Sequence, residues 1–249
     1  MRRPWVAGNW KMNGSLQQIT DLLGALKLML PNELQAACTV FPPSIYIALA
    51  QSLTNKSSIT VGAQNCYIKD SGAFTGEISA SMIADMNCRY VLVGHSERRH
   101  LFKEDEKIVR DKFHHAKLHD IIPVLCVGET LAEYEAGLTE AVLTQQIKSV
   151  VLDDTRCFAN AIVAYEPVWA IGTGKVATPE YAENAHRFIR ALIAEFNPDD
   201  ADALTLVYGG SVNAENAKSL FAMPNIDGGL VGGASLDAAQ FVEIVKCIN

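Results

Sequence analysis

Positive charge is scarce in this 249-residue chain: 21 Lys and Arg stand against 28 Asp and Glu, a net charge of −7. That balance argues against a binder of nucleic-acid backbones or of anionic membranes, and any grip on an anionic small molecule has to be local. Long apolar runs are missing too. The greasiest helical stretch, Leu22 to Leu30, contains Lys27 and is far too short to span a bilayer. Met1-Arg2-Arg3 runs straight into Pro4-Trp5 without an apolar segment, so no secretory signal is expected. The six cysteines, Cys38, Cys66, Cys88, Cys126, Cys157 and Cys247, fall singly, and no CxxC pair occurs. Buried reduced thiols in a cytoplasmic protein fit this better than a disulfide framework or a zinc site. No low-complexity tract, charge block or linker-like composition break divides the chain.

Present instead is a regular alternation. Strand-like runs recur at Trp5–Asn9, Cys38–Phe41, Ile59–Ala63, Tyr90–Gly94, Ile121–Val127, Ala161–Glu166, Leu204–Gly209 and Gly228–Val231. Helical patterns with start signals lie between them. Ser15 with Gln18 and Thr130 with Glu133 read as capping boxes, Ser79, Asp105 and Asp237 as N-caps, and Thr178-Pro179 as a cap followed by proline. Pro43-Ser44 and Asn213 open further helices. Such alternation calls for a parallel sheet, because each crossover carries a helix over a face. Eight units in this length predict an α/β fold, a single closed (β/α)8 TIM barrel spanning 1–249 as one domain.

A barrel of this kind carries its chemistry at the carboxyl ends of the strands. The residues there are Asn9-Trp10-Lys11, Phe41-Pro42, Gln64-Asn65, His95-Ser96-Glu97, Gly128-Glu129, Glu166, Gly209-Gly210-Ser211 and Gly232-Gly233. Strand side chains alternate, so Ala7, Asn9 and Lys11 share a face if the strand persists. Val91, Val93 and His95 form a second such set, and Ile162, Ala164 and Glu166 a third. If those sets point inward, their last members converge on the mouth. Glu166 ends a buried strand that Pro167 stops, and partial desolvation suits a carboxylate for work as a base.

Five motifs carry a family resemblance. Trp5-Val6-Ala7-Gly8-Asn9-Trp10-Lys11-Met12-Asn13, Val93-Gly94-His95-Ser96-Glu97-Arg98-Arg99, the run Ala164 to Lys175, Tyr208-Gly209-Gly210-Ser211-Val212 and Leu230-Val231-Gly232-Gly233-Ala234 together resemble triosephosphate isomerase. The resemblance implies a homodimer that isomerises a triose phosphate with no cofactor and no metal. It implies Glu166 as the base and a neutral His95 as the electrophile, and the family is itself a standard case of that pairing. His95 precedes Ser96-Glu97-Arg98-Arg99, the first turn of a helix, whose positive end disfavours an imidazolium. Lys11 and Asn9 face the phosphate and the developing oxyanion. Glu97 pairs with Lys11, or serves as an ordinary N-terminal helix acid.

Phosphate needs close backbone N–H donors, which accounts for glycines. The resemblance places Gly172, Ser211, Gly232 and Gly233 in that cradle. The segment Pro167, Val168, Trp169, Ala170, Ile171, Gly172, Thr173, Gly174 and Lys175 would be a lid that excludes water. Gly172-Thr173-Gly174-Lys175 is not a Walker loop, for Trp169 stands where the first glycine belongs and Val176 follows the lysine. The long connection Gln64 to Ile78 inserts, by resemblance, into a second subunit near Asn9 and Lys11, with Thr75 at the contact. Taken by itself it reads equally well as a mobile surface loop.

Two rival readings fit the residues less well. A Schiff-base aldolase on this scaffold wants a lysine where Glu166 ends the sixth strand, and a plain sugar-phosphate binder needs neither Glu166 nor His95. His115 and His119 lie one helical turn apart. There is no third ligand and no HExxH glutamate, so they read as a solvated helix face rather than a metal site.

Overall fold

The computed structural model describes residues 2–31, 33–152, 154–171 and 177–248. Eight parallel strands, β1 (Trp5–Asn9), β2 (Ala37–Phe41), β3 (Ile59–Ala63), β4 (Tyr90–Val93), β5 (Ile122–Val127), β6 (Ile162–Tyr165), β7 (Thr205–Tyr208) and β8 (Gly228–Val231), follow one another around a closed barrel. β1 closes the ring on β8, with Ala7 opposite Leu230. The strands stop a residue earlier than expected at Gly94, Glu166 and Gly209, so these three lie just past the sheet, on the rim.

The helix starts follow from local hydrogen bonding. The side chains of Ser15, Ser79, Asp105, Thr178 and Asp237 accept from the N–H three residues on, each cap contributing about 1 kcal/mol. Thr130 and Glu133 make the full reciprocal box. The region after Thr130 is two helices, Leu131–Glu135 and Thr139–Val150, because Gly137 takes a φ of +69° between them. The segment after Pro43 begins as a 3-10 turn, Ser44–Tyr46, before the α-helix Ile47–Thr54.

Two apolar clusters share the core. The larger lies between strands and helices, and the smaller fills the barrel with Trp5, Ala7, Phe41, Tyr90, Leu92, Val124, Cys126, Ile162, Ala164, Val207 and Leu230. Trp5 packs on Tyr90 at 5.5 Å and on Phe41 at 6.0 Å between ring centroids, and its indole N–H reaches Thr39 at 3.0 Å. Trp5 and Tyr90, the first residues of β1 and β4, fill the amino-terminal end.

The barrel interior corrects one expectation of parity. Trp5, Ala7 and Asn9 on β1, and Ile162 and Ala164 before Glu166 on β6, do alternate inward. On β4 the inward residues are Tyr90 and Leu92, while Val91 and Val93 face the helices. Strict alternation would therefore send His95 outward. Gly94 takes a φ of +70°, which breaks the alternation and turns the next residue back over the mouth. A Cβ at Gly94 would also lie 2.8 Å from Val109 Cγ1. Lys11 likewise lies beyond the end of β1, with a φ of +51° rather than an extended backbone.

Candidate active site

Asn9 and His95, both buried, and the buried Glu166 line one hollow of about 340 Å³ together with Lys11, Ser211, Gly232 and Gly233. A second hollow of about 460 Å³ adjoins it and shares Asn9, Lys11 and His95. Residues 157 positions apart in the chain thus meet at one rim, because neighbouring strands end at the same level.

The backbone at Lys11 is held against its strain. A lysine in the left-handed region costs of order 1–3 kcal/mol. Asn9 Oδ1 accepts from the Lys11 N–H at 3.0 Å, and Gln64 Nε2 donates at 2.8 Å to the carbonyls of both Lys11 and Phe41. So placed, the Lys11 ammonium meets Glu97 Oε1 at 2.7 Å, and its stem lies 3.8 Å from where a Cβ on Gly232 would stand. Both readings of Glu97 open in the sequence are present here, for it pairs with Lys11 and is also the acid in the first turn of the helix Ser96–His100.

His95 is the N-cap of the helix Ser96–His100, and its Nδ1 accepts from the Glu97 N–H at 3.2 Å. In a neutral ring a nitrogen that accepts carries no proton, so this contact matches the tautomer with its proton on Nε2. That Nε2 lies 3.1 Å from Glu166 Oε1. The other carboxylate oxygen, Oε2, accepts from the Ser96 N–H at 2.9 Å. The carboxylate thus spans a first-turn amide and an imidazole. Cys126 lies beneath it: burial first, and the Glu166 charge second, push that thiol well above its ordinary value.

Sequence reasoning placed Glu129 at a strand end without giving it a task. It is fully buried and gathers three side-chain donors: Trp169 Nε1 at 2.7 Å, Tyr165 Oη at 3.1 Å and Tyr181 Oη at 3.1 Å. Burial raises its pKa despite these donors, and its carbonyl accepts from the Val168 N–H at 3.0 Å. Trp169 also stacks on Tyr134 at 4.5 Å. The segment expected to be a lid is therefore anchored at its beginning, where Val168–Ala170 forms a 3-10 turn. Ser211 Oγ donates to the Ala170 carbonyl at 2.6 Å. Gly172, Thr173, Gly174 and Lys175 lie outside the described residues, and with them the Gly172 member of the expected cradle.

Gly232 and Gly233 stand where expected, at the end of β8, and Gly233–Leu236 winds a short 3-10 helix with Ser235 Oγ bonded to Gly232 O at 2.6 Å. Ser96, Gln64 and Gly209 were placed at strand ends by the sequence but given no task of their own. Ser96 acts through its backbone, Gln64 through the carbonyls of other strands, and Gly209 by leaving space, so no side-chain motif announces them. Thr75 stands on an exposed stretch, Ser71 to Glu77, whose last residues Gly76 and Glu77 line the second hollow.

Comparison with known proteins agrees with the motifs. The family model described as triosephosphate isomerase matches residues 4–248. A triosephosphate isomerase of Legionella pneumophila (strain Lens) is 60% identical over 249 residues, the whole of both chains. Those of Thiobacillus denitrificans and Nitrosomonas eutropha are 51% and 50% identical, covering 99% and 98% of this chain and 98% and 97% of theirs.

Proposed function

This chain belongs to the triosephosphate isomerase family, and from that premise we propose how its residues perform the reaction. The reaction interconverts dihydroxyacetone phosphate and D-glyceraldehyde 3-phosphate, a step of glycolysis and gluconeogenesis. In our reading it proceeds without a cofactor. Glu166 takes a proton from the carbon beside the carbonyl, and the electron pair of that C–H bond moves onto the carbonyl oxygen to give an enediolate. The His95 Nε2–H donates to the substrate oxygens and moves a proton from one to the other. Glu166 then returns its proton to the neighbouring carbon.

One observation supports this reading above the others: Glu166 Oε1 and His95 Nε2 lie 3.1 Å apart over a hollow that Lys11 also lines. The Nε2–H that meets Glu166 is the donor a substrate oxygen needs, so substrate has to draw the carboxylate away from the ring and from Ser96. Lys11 supplies a local cation in an acidic protein, and Glu97 positions it. Asn9 braces Lys11. Ser211, Gly232, Gly233 and Gly172 are assigned to the phosphate, and Pro167 to Lys175 to the lid.

We read the chain, 1–249, as one domain acting in the cytoplasm. Among the described residues no helix is long and apolar enough to cross a membrane. The homodimer rests on the exposed loop bearing Thr75, beside a hollow lined by Gly76 and Glu77 together with the exposed Met12 and Phe102. Such a concentration of uncovered apolar surface suits a partner subunit. A coupled assay on purified protein tests the roles. Glu166→Gln should lower kcat by about 10²–10⁴, the usual worth of a positioned base, while binding of a phosphate-bearing analogue persists. Retention of wild-type kcat by that variant would remove Glu166 from the base's role.

A further inference from the structure

The histidines read from sequence as a solvated helix face are neither solvated nor alone. His115 lies near the end of the helix Glu106–Leu118, and His119 is its C-cap. Their side chains are only 13% and 24% exposed. The third group comes from a different part of the chain. Asp70, on the connection between β3 and the helix Ala80–Asp85, brings Oδ1 to 3.2 Å from His115 Nε2 and 2.7 Å from His119 Nε2. The ligand-type atoms of these three residues all lie within 4.8 Å of one another.

We propose that Asp70, His115 and His119 bind a divalent transition-metal cation of the zinc type, which ties the exposed loop to the end of this helix. The donor set is two imidazole nitrogens and one carboxylate oxygen, the mixture such cations take with a water as fourth ligand. Bonds of about 2.0–2.2 Å in tetrahedral geometry hold neighbouring ligand atoms roughly 3.3 Å apart. Asp70 Oδ1 stands about 0.1 and 0.6 Å inside that value from the two nitrogens, and all three atoms lie within 4.8 Å of one another, so small side-chain shifts make room for the ion. His115 Nε2 is buried and makes no well-formed hydrogen bond, its nearest polar neighbour being Asp70 Oδ1 at 3.2 Å, and coordination would satisfy it. The negative end of the helix at His119 adds attraction for a cation. The exposed Asp70 leaves a route for the ion to enter.

The location suggests the consequence. The stem of the loop is already attached to this same helix face, since Lys112 Nζ donates to Asn65 Oδ1 at 2.7 Å. Tyr67 N–H donates to Ile78 O at 2.8 Å and closes the loop at its base. A cation at Asp70 adds an attachment farther out, along the face Lys112, His115, His119.

The test uses the purified full chain, stripped with a chelator and titrated with Zn²⁺ by calorimetry and with Co²⁺ by visible absorption. One site per chain is expected, with a d–d band of tetrahedral intensity. Loss of even a partner that merely supports a ligand costs about 10–100-fold in affinity, so removing ligands outright in His115→Ala/His119→Ala should weaken Zn²⁺ by about 100-fold or more. Asp70→Asn, a change on an exposed loop that leaves folding alone, should weaken it too. Zn²⁺ should slow amide exchange in 66–78 in the wild type and not in the double variant, with the isomerase rate of both proteins unchanged. No saturable uptake by the wild-type chain, or equal uptake by the double variant, overturns the proposal.

Discussion

Gly209 leaves room for the carboxylate it faces. A Cβ at that position would stand 2.8 Å from Glu166 Cγ and 3.3 Å from the Tyr165 carbonyl. The first neighbour is a side chain that can move, so Gly209→Ala should fold and displace the carboxylate instead. A misplacement of about 1 Å in a reacting group costs roughly 10²-fold, and kcat should fall by that order with the melting temperature little changed. Collapse of the fold with no kinetic signature of its own would contradict this. His186 makes the other prediction at this scale. It is fully buried, its Nδ1–H donates to the Asn225 carbonyl at 3.1 Å, and burial pulls its pKa from 6.5 to about 3. An unfolded chain's histidine takes up a proton below pH 6.5 while the folded one does not. The contribution is complete above that pH and is lost as pH falls from 6.5 toward 3. Urea midpoints should therefore drop between pH 7 and pH 5, and drop less in His186→Gln; equal slopes would exclude His186 as a source.

Among the elements, the turn Val168–Ala170 is held by a neighbour far away in the chain. Trp169 gives its N–H to Glu129 and its ring to Tyr134 and Tyr181. Trp169→Phe keeps the stacking and deletes the donor, which should cost about 1–3 kcal/mol in denaturant unfolding. If this turn is the fixed end of a lid, the same variant should also change kcat/KM. An unfolding midpoint equal to wild type would show that the bond contributes nothing net. The element scale is also where parity reasoning failed and recovered. Alternation along β4 predicted the wrong inward face, yet His95 still reaches the mouth because one glycine at positive φ reverses it.

At the scale of the whole molecule, the proposed dimer concentrates at Thr75. Sedimentation should give twice the chain mass. Thr75→Arg forces an unpaired charge into the contact at a cost of about 3–5 kcal/mol, enough to weaken association by roughly 10²–10³-fold. Monomer should appear at micromolar concentration, with reduced activity; an unchanged dimer would move the interface elsewhere. The acidic surface and the local Lys11 cation belong to this scale as well, since a protein of net charge −7 attracts an anionic substrate only within its mouth.

Sequence alone settled what depends on near neighbours. Periodicity and caps specify strands and helices through bonds a few residues long, and eight alternations leave a closed parallel barrel as the economical arrangement. The identities of Glu166, His95, Lys11 and Asn9 were legible because each stands in a short distinctive motif at a strand end. Tertiary structure decided whatever depends on groups remote in the chain, or on backbone with no side-chain signature. It chose the Ser96 amide as a partner of Glu166, set Glu129 beneath Trp169, and turned Nε2 of His95 toward the Glu166 carboxylate. It also brought Asp70 to two histidines 45 and 49 residues away, because such distances are set by packing and by loop paths that no local pattern encodes.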